Sequence, residues 1–588
     1  MKNIFRLLKY ALPYKWFLTL ALVSMLVQVL VGFFIPYVMI DIIDVSLPAN
    51  DFMQVIWQSL IMLGLALFGM FAGVVSAYTS QYISQYAAAE LRLDLFNKIQ
   101  TLSFKNIDTF KQSRLITNAT NDVMRVQMFF TMMLRIVIRA PLMIVVGLVL
   151  ALSTSLLLSQ VFFITMPLLI ISVVVIMFFA YPRFKKVQTA LDNLNNVVLE
   201  NANAPQVIKS FVSQPHELER FDTTNDDYRK VNTSAESIMA FAEPVIMMVF
   251  NLGVALILFL SAYYLDANNP ALFIDGAPRV GLIMAFNQYS QQILIGLMMF
   301  AMIMIFLSRA DVSAARINEI FDANIDLVNP KNGQKKTIEG TIEFVNVSFG
   351  YGDNGNHVLN RISFKINAGE KIGIIGSTGS GKSTLTNLIP RLYDVKEGRV
   401  LIDGDDVQTY DVPYLRDQIG FVTQTANIFT GSIATNILQG NQTADFDTLE
   451  AASKDALIYD FIEEQEAGFN YLVTAKGNNL SGGQKQRVSI ARALIKQPKV
   501  LILDDATSAV DLVSEKKILQ AIGALKPNPT LLLISQKVAT VRQMDRILVL
   551  DNEGSLDGFG THDTLINTSP VYQEIAKSQL NLGDQSND

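Results

Sequence analysis

Apolar runs long enough to cross a bilayer, about 20 residues each, all lie before about residue 308; beyond it the sequence reads as an ordinary soluble domain. Trp16–Ile40 carries no charge, nor does the stretch from Phe52 to Ala89, which is longer than a membrane needs and is read as a helix continuing into the cytoplasm. Ala140–Pro182 is uncharged over a length that suits two spans, with Ser153-Thr154-Ser155 as the turn between them. Pro244–Leu265 and Val280–Ser308 supply the last two. The pattern predicts six spans, near 16–40, 55–80, 134–153, 158–181, 244–265 and 280–307.

Lysine and arginine set the orientation. They precede the first span (Lys2, Arg6, Lys9, Lys15) and fill the segments between spans two and three and between spans four and five, from Arg92 to Arg139 and from Arg183 to Lys230. The opposite loops hold Asp41, Asp44, Asp51, Asp266 and Asp275, with Arg279 alone as a basic residue. Both termini are therefore expected in the cytoplasm, and the protein in the cytoplasmic (inner) membrane. Phe5–Tyr14 reads as a short amphipathic helix on the inner surface; the run that follows is too long for a cleaved signal. The two basic inner segments are polar but helix-favouring and poor in glycine and proline, such as Glu90–Thr101 and Phe184–Lys209. They predict transmembrane helices extended into the cytoplasm and ending in short crossing helices. The expected organisation is an elbow helix at 1–15, a transmembrane domain at 16–322, a linker at 323–338 and a second domain at 339–588.

Composition narrows the partners. Hydrophobic residues make up 51% of the 588 and charged ones 17%, an average of a membrane half and a soluble half. A net charge of −6 leaves no basic footprint for nucleic acid. The absence of cysteine excludes disulfides, thiolate metal sites and a cysteine nucleophile, and three histidines argue against a histidine metal site.

In the soluble half, the apolar strand Lys371–Ile375 leads into Gly376-Ser377-Thr378-Gly379-Ser380-Gly381-Lys382-Ser383-Thr384. This is the phosphate-binding loop in its required context of strand, glycine loop and helix. The glycines let backbone N–H groups wrap phosphates, and the helix adds its positive end. Lys382 is expected at the β- and γ-phosphates of ATP and Ser383 on Mg²⁺. Val500-Leu501-Ile502-Leu503-Asp504 reads as a buried strand ending in the carboxylate that holds Mg²⁺ through water. Upstream, Leu480-Ser481-Gly482-Gly483-Gln484 before a basic helical run is a second anion-binding tip. One nucleotide does not need two such devices from one chain; two chains facing head to tail would use both.

These motifs, in this order and spacing, resemble the ATP-binding cassette exporter family over essentially the whole chain. The resemblance implies a six-span α-helical domain fused to an α/β P-loop nucleotide-binding domain. It implies that Tyr351 stacks on adenine, that Gln424 contacts Mg²⁺ and faces the membrane domain, that Ser481, Gly482, Gly483 and Gln484 form the signature, and that Asp511 closes the D-loop. It also places crossing helices near Phe110–Arg114 and Phe211–Glu217 on nucleotide-binding domains, the second commonly on the partner chain's.

The departures from the pattern carry information. Asp505 stands where the family has a glutamate as general base, and Gln536 where it has a switch histidine. Ala475 stands where many exporters have a glutamate, which removes a charged contact toward the crossing helices. Asp505 is one methylene short, and an amide cannot shuttle a proton. The chain therefore resembles the degenerate-site subunit of bacterial heterodimeric multidrug exporters. The expected partner is a second half-transporter carrying Glu and His at those positions, and the expected cargo is small hydrophobic or amphiphilic compounds. Gln288, Tyr289 and Gln292 share one face of the last span, with Met298, Met299, Met302 and Met304 beyond, a possible adaptable lining, though methionine in a membrane helix more often packs. A homodimeric lipid or peptide exporter, and a nucleotide-sensing regulatory subunit, are the alternatives.

Overall fold

The computed structural model describes residues 2–266, 273–274, 277–352 and 357–580. The chain divides into two units, Met1–Gln100 with Ser113–Asp322, and Thr101–Gln112 with Ala323–Asp588. Among its described residues the first unit is almost wholly helical, apart from short turns and a two-residue pairing, Phe273–Ile274 with Ala277–Pro278. Five helical stretches among the described residues are long and apolar enough to cross a membrane: Leu12–Ser46, Phe52–Thr101, Gln112–Thr154, Leu156–Asn203 and Gln214–Tyr263. The sequence predicts six. The sixth falls on the helix Val280–Phe321, where several side chains between 301 and 309, Met302 and Met304 among them, lie outside the described residues.

These helices invert the arrangement of a soluble bundle. Phe52–Thr101 buries Gly69, Ala72, Ser76, Thr79, Ser80 and Ser84 and exposes Trp57, Leu60, Leu67, Phe68, Phe71 and Val74. Lipid tails are as apolar as leucine, so packing rewards small residues that admit a neighbour's backbone. A Cβ added at Gly69 would lie 2.9 Å from Val31 Cγ1, and Ser76 Oγ donates to the Ala21 carbonyl at 3.3 Å. The break between the third and fourth stretches is a single residue. Ser155 is extended (φ −158°) and its hydroxyl accepts from Leu158 N at 3.3 Å.

Asp44 ties two helix ends together. It is 6% exposed and accepts from Gly281 N at 2.5 Å and Leu282 N at 3.0 Å, so it satisfies two of the N–H groups that the helix Val280–Phe321 leaves open at its start. Arg279 Nε stands 3.8 Å from the same carboxylate. Farther along that helix, the core does not leave Tyr289 and Gln292 as a free lining. Tyr289 is fully buried against Phe33, ring centroids 5.8 Å apart, and Gln292 Nε2 donates to the Gly32 carbonyl at 2.8 Å.

The crossing segments differ in detail from the sequence expectation. The first is the helix Phe104–Phe110, not a segment starting at Phe110, and it belongs to the second unit. Ser103 and Asn106 form its capping box, and it stops because Lys111 takes φ +62°. The second comprises the short helix Pro205–Ser210, a turn with Val212 at φ +52°, and the helix from Gln214. Its turn leaves Phe211 77% and Val212 73% exposed.

Among its described residues the second unit holds, besides a two-residue antiparallel pairing of Gly431–Ser432 with Leu472–Val473, two large sheets. One is antiparallel, in the order Leu359–Ile366, Ile342–Phe349, Glu397–Ile402, Asp405–Asp406. The other runs Leu556–Gly560, Arg546–Leu550, Lys371–Gly376, Thr530–Ile534, Val500–Asp504, Ile419–Val422, parallel except for its first strand. Val500–Asp504 and Thr530–Ile534 are buried at every residue, as parallel strands covered on both faces must be. One core, with Phe344, Ile374, Leu385 and Ile502, joins the two sheets. A second, with Ile437, Leu449, Val488 and Leu503, seats a helical lobe on the other face.

Replacing Asp44 by alanine removes a buried, charged cap. We expect a loss of about 2 kcal/mol in stability, read as a lower thermal unfolding midpoint of the lipid-reconstituted protein, with Asp44→Asn falling between.

Candidate functional site

The carboxyl ends of neighbouring parallel strands meet. Asp504 pairs with Ile534, and Ile534 with Ile374, so the loops leaving these strands converge, as ligand sites in such sheets do. Between them lies a cavity of about 220 Å³ whose lining includes Thr378, Lys382, Ser383, Gln424, Asp504, Asp505 and Gln536. Residues up to 178 positions apart in sequence, Val358 and Gln536, thus share one site.

The phosphate loop's shape depends on glycine. Gly379 and Gly381 take φ +87° and +89°, where an L side chain is strained. A Cβ at Gly381 would lie 2.8 Å from Leu359 Cδ2, whereas at Gly379 it would meet nothing within 4 Å. The loop is thus packed behind and open in front. Lys382 Nζ donates to the carbonyls of Gly376 (2.9 Å) and Ser377 (2.6 Å), with Ser380 Oγ at 3.5 Å. Burial lowers its pKa, opposed by the charges of Asp504 and Asp505. Ser383 Oγ donates to Asp504 Oδ1 at 2.9 Å. Burial raises the Asp504 pKa, and Asp505 adds to that while Ser383 and Lys382 oppose it. A buried carboxylate beside a hydroxyl is a hard-oxygen pair that suits Mg²⁺ completed by phosphate oxygens. Among the described residues there is no cluster of three His, Asp or Glu that would hold a metal by itself.

Asp505 stands in the left-handed region (φ +49°), which aspartate tolerates better than most residues. Gln424 Nε2 donates to its Oδ2 at 3.4 Å. Burial raises its pKa, with Gln424, Lys382 and Lys537 opposing. Gln536 lines the cavity, and its carbonyl accepts from Gln579 Nε2 at 2.6 Å.

Other expected site residues lie apart from this cavity. Ser481 and Gln484 form a capping box, Gln484 N donating to Ser481 Oγ at 3.2 Å and Ser481 N to Gln484 Oε1 at 2.8 Å. A Cβ at Gly483 would lie 3.0 Å from the Ala509 carbonyl, so that glycine lets the signature helix pack close against the D-loop, whereas at Gly482 a Cβ would make ordinary contact with Ala509 Cβ at 3.5 Å. None of these four lines the phosphate cavity. Asp511 caps the helix Leu512–Ala524, accepting from Val513 N and Ser514 N at 3.1 and 2.9 Å. Tyr351 sits outside the cavity lining, its hydroxyl 3.1 Å from Thr384 Oγ1.

Three supporting residues escape a motif reading. Gln486 accepts from Ala509 N (3.0 Å) and reaches Ser508 Oγ (3.3 Å), clamping the D-loop to the signature helix. Glu515, buried, accepts from Thr507 (2.7 Å) and Thr540 (3.3 Å) with Lys537 Nζ at 3.5 Å, linking the segment after Asp505 to the switch segment. Gln579 holds both sides of Lys537, through the Gln536 carbonyl and, at 2.8 Å, Val538 N. The one signal in the sequence is an uncompensated polar residue on an apolar helix face.

Comparison with known proteins agrees with this geometry. Residues 18–298 match the family described as ABC transporter transmembrane region, and 359–508 the family described as ABC transporter. The chain is 37% identical over 574 residues to the uncharacterized ABC transporter ATP-binding protein YfiB of Bacillus subtilis, covering 97% of this chain and 98% of that one. It is 34% identical over 534 residues to the putative ABC transporter ATP-binding protein MG014 of Mycoplasma genitalium, covering 88% and 85%. A solved structure of a bacterial Atm1-family ABC exporter with ATP bound shares the fold, with a TM-score of 0.77, 23% identity, and 97% and 99% coverage. With a helical membrane unit, a phosphate loop facing a buried aspartate and relatives matching end to end, the chain belongs to the ABC transporter family, joining a transmembrane region to the ATP-binding domain that couples ATP hydrolysis to transport.

Proposed function

We propose that this chain is the subunit with the weak ATP site in a heterodimeric exporter of hydrophobic or amphiphilic compounds, set in the cytoplasmic membrane with both termini inside. The observation that carries this reading is the make-up of one cavity. Lys382, Ser383 and Asp504 stand together there for binding, while the two positions that serve water attack hold Asp505 and Gln536.

The chain's own groups then divide as follows. The open face of the loop at Gly379 and the Lys382 ammonium hold the triphosphate, Lys382 exchanging its two carbonyl acceptors for phosphate oxygens. Ser383 and Asp504, with Gln424, hold Mg²⁺, which when bound neutralises charge on the transferring phosphoryl group. Asp505 faces the place of the attacking water but reaches roughly 1–1.5 Å less far than a glutamate. A general base contributes about 10²–10⁴-fold, so a misplaced one forfeits much of the rate. Gln536 donates a hydrogen bond but takes no proton. ATP is therefore held and hydrolysed slowly.

The signature supports a working role in a partner's site. Its capping box and its packing on Ala509 are intact, and it lies apart from its own chain's cavity. Phe211 and Val212 offer an apolar contact for the partner's nucleotide-binding domain. The apolar membrane helices, with small and hydroxyl residues packed inward, suit lipophilic cargo.

Purified in lipid without a partner, the chain is expected to bind ATP and show negligible hydrolysis. Activity appears on adding a half-transporter with Glu and His at the positions of Asp505 and Gln536. Asp505→Glu with Gln536→His raises the chain's own turnover about 100-fold. Fast hydrolysis by the unaltered chain alone overturns the reading. Lys382→Ala weakens ATP binding at least about tenfold, measured by nucleotide titration, because a charge-assisted contact to phosphate is lost.

A further inference from the structure

In the second unit, a line of contacts runs from the phosphate loop to the first crossing helix. Tyr351 OH lies 3.1 Å from Thr384 Oγ1, on the helix that follows the loop. The Tyr351 ring meets Tyr393 edge to face, centroids 5.3 Å apart at 84°. Tyr393 is wedged between Phe349 (5.6 Å) and Phe104 (6.0 Å), and its hydroxyl donates to Asp108 Oδ2 at 2.8 Å. Phe104 and Asp108 both belong to the crossing helix Phe104–Phe110. Beside this line lies a cavity of about 400 Å³ whose walls include Lys105, Asp108, Tyr351, Tyr393 and Lys396.

We infer that Tyr393 and Asp108 are positioning residues that report occupancy of the ATP site to the first crossing helix. The inference rests on the reading of Tyr351 as the adenine platform. Tyr351 is 44% exposed and is held by its hydrogen bond to Thr384 and by edge-to-face packing on Phe349, centroids 5.1 Å apart. A base stacked on its open face fixes the tilt of the ring. The ring's edge bears on Tyr393, whose own ring is flanked by Phe349 and Phe104. The displacement therefore passes to the Tyr393 hydroxyl and its charge-assisted bond to Asp108, the strongest link in the line. Two further contacts at the start of the helix, Ser103 to Asp326 and Asn106 Nδ2 to the Asn324 carbonyl at 3.1 Å, reach the linker. The line through Tyr393 is a route by which the base and the crossing helix can sense each other.

The test is amide hydrogen exchange on the full-length protein in lipid, with and without ATP, alongside ATP affinity. In the unaltered protein ATP is expected to slow exchange in residues 104–110 about fivefold, the size of one such hydrogen bond. Tyr393→Phe and Asp108→Asn each abolish that slowing, leave ATP affinity within about twofold, and combine without further effect. The inference is overturned if either variant keeps the ATP-dependent slowing, if the unaltered protein shows none, or if exchange rises equally with and without ATP. The last outcome marks a merely structural contact. Tyr351→Leu separates the two readings. If ATP affinity survives that change, the adenine platform is wrong. If affinity falls while Tyr393→Phe changes nothing at 104–110, only the relay is wrong.

Discussion

The pairing of Asp504 with Ile534, and of Ile534 with Ile374, is the constraint from which the nucleotide site follows. Strands buried on both faces have no solvent side to slip toward, so their register is held by packing along their whole length. Once it is held, the phosphate loop, the segment from Asp505 and the switch segment must leave the sheet at one edge. The Ser383–Asp504 hydrogen bond then joins two of these three loops directly. Gln486, Glu515 and Gln579 extend the same logic outward, each bonding a loop that the strands alone would leave loose.

The membrane unit answers a different constraint. With no water to repel apolar groups, helices associate where backbones can approach and where polar groups find partners inside. The inward glycine, alanine and serine of Phe52–Thr101 and the Asp44 cap on Val280–Phe321 are two solutions to it.

Much of this was legible in the sequence because the signals are local and strong. The phosphate loop, the apolar run into Asp504 and the uncharged spans each follow from a short stretch. What was not legible depends on distant partners. The face of the last span that holds Tyr289 and Gln292 looked like a polar lining, but Phe33 and the Gly32 carbonyl, some 260 positions away, take both. The signature's serine and glutamine are spent on each other in a capping box, and Asp511 on the start of its own helix, uses that motif spacing does not distinguish from ligand contact. The first crossing helix began earlier than expected because the Ser103 and Asn106 box, not the apolar Phe110, starts it. Asp505 was recognisable as a departure, but its left-handed backbone was not.

The one-residue break at Ser155 has a mechanical consequence. The helix that starts there runs 48 residues to Asn203, a length of about 72 Å at 1.5 Å per residue. Pivoting at such a hinge, a straight rod of that length sweeps its far end by roughly 1.3 Å for each degree of tilt. Pro167 and Pro182 lie within the helix without ending it, each removing one backbone hydrogen bond. Moving as one rod, the helix turns a rotation of a few degrees at Ser155 into a shift of its Asn203 end, a few residues before the turn at Phe211 and Val212, by the width of a side chain.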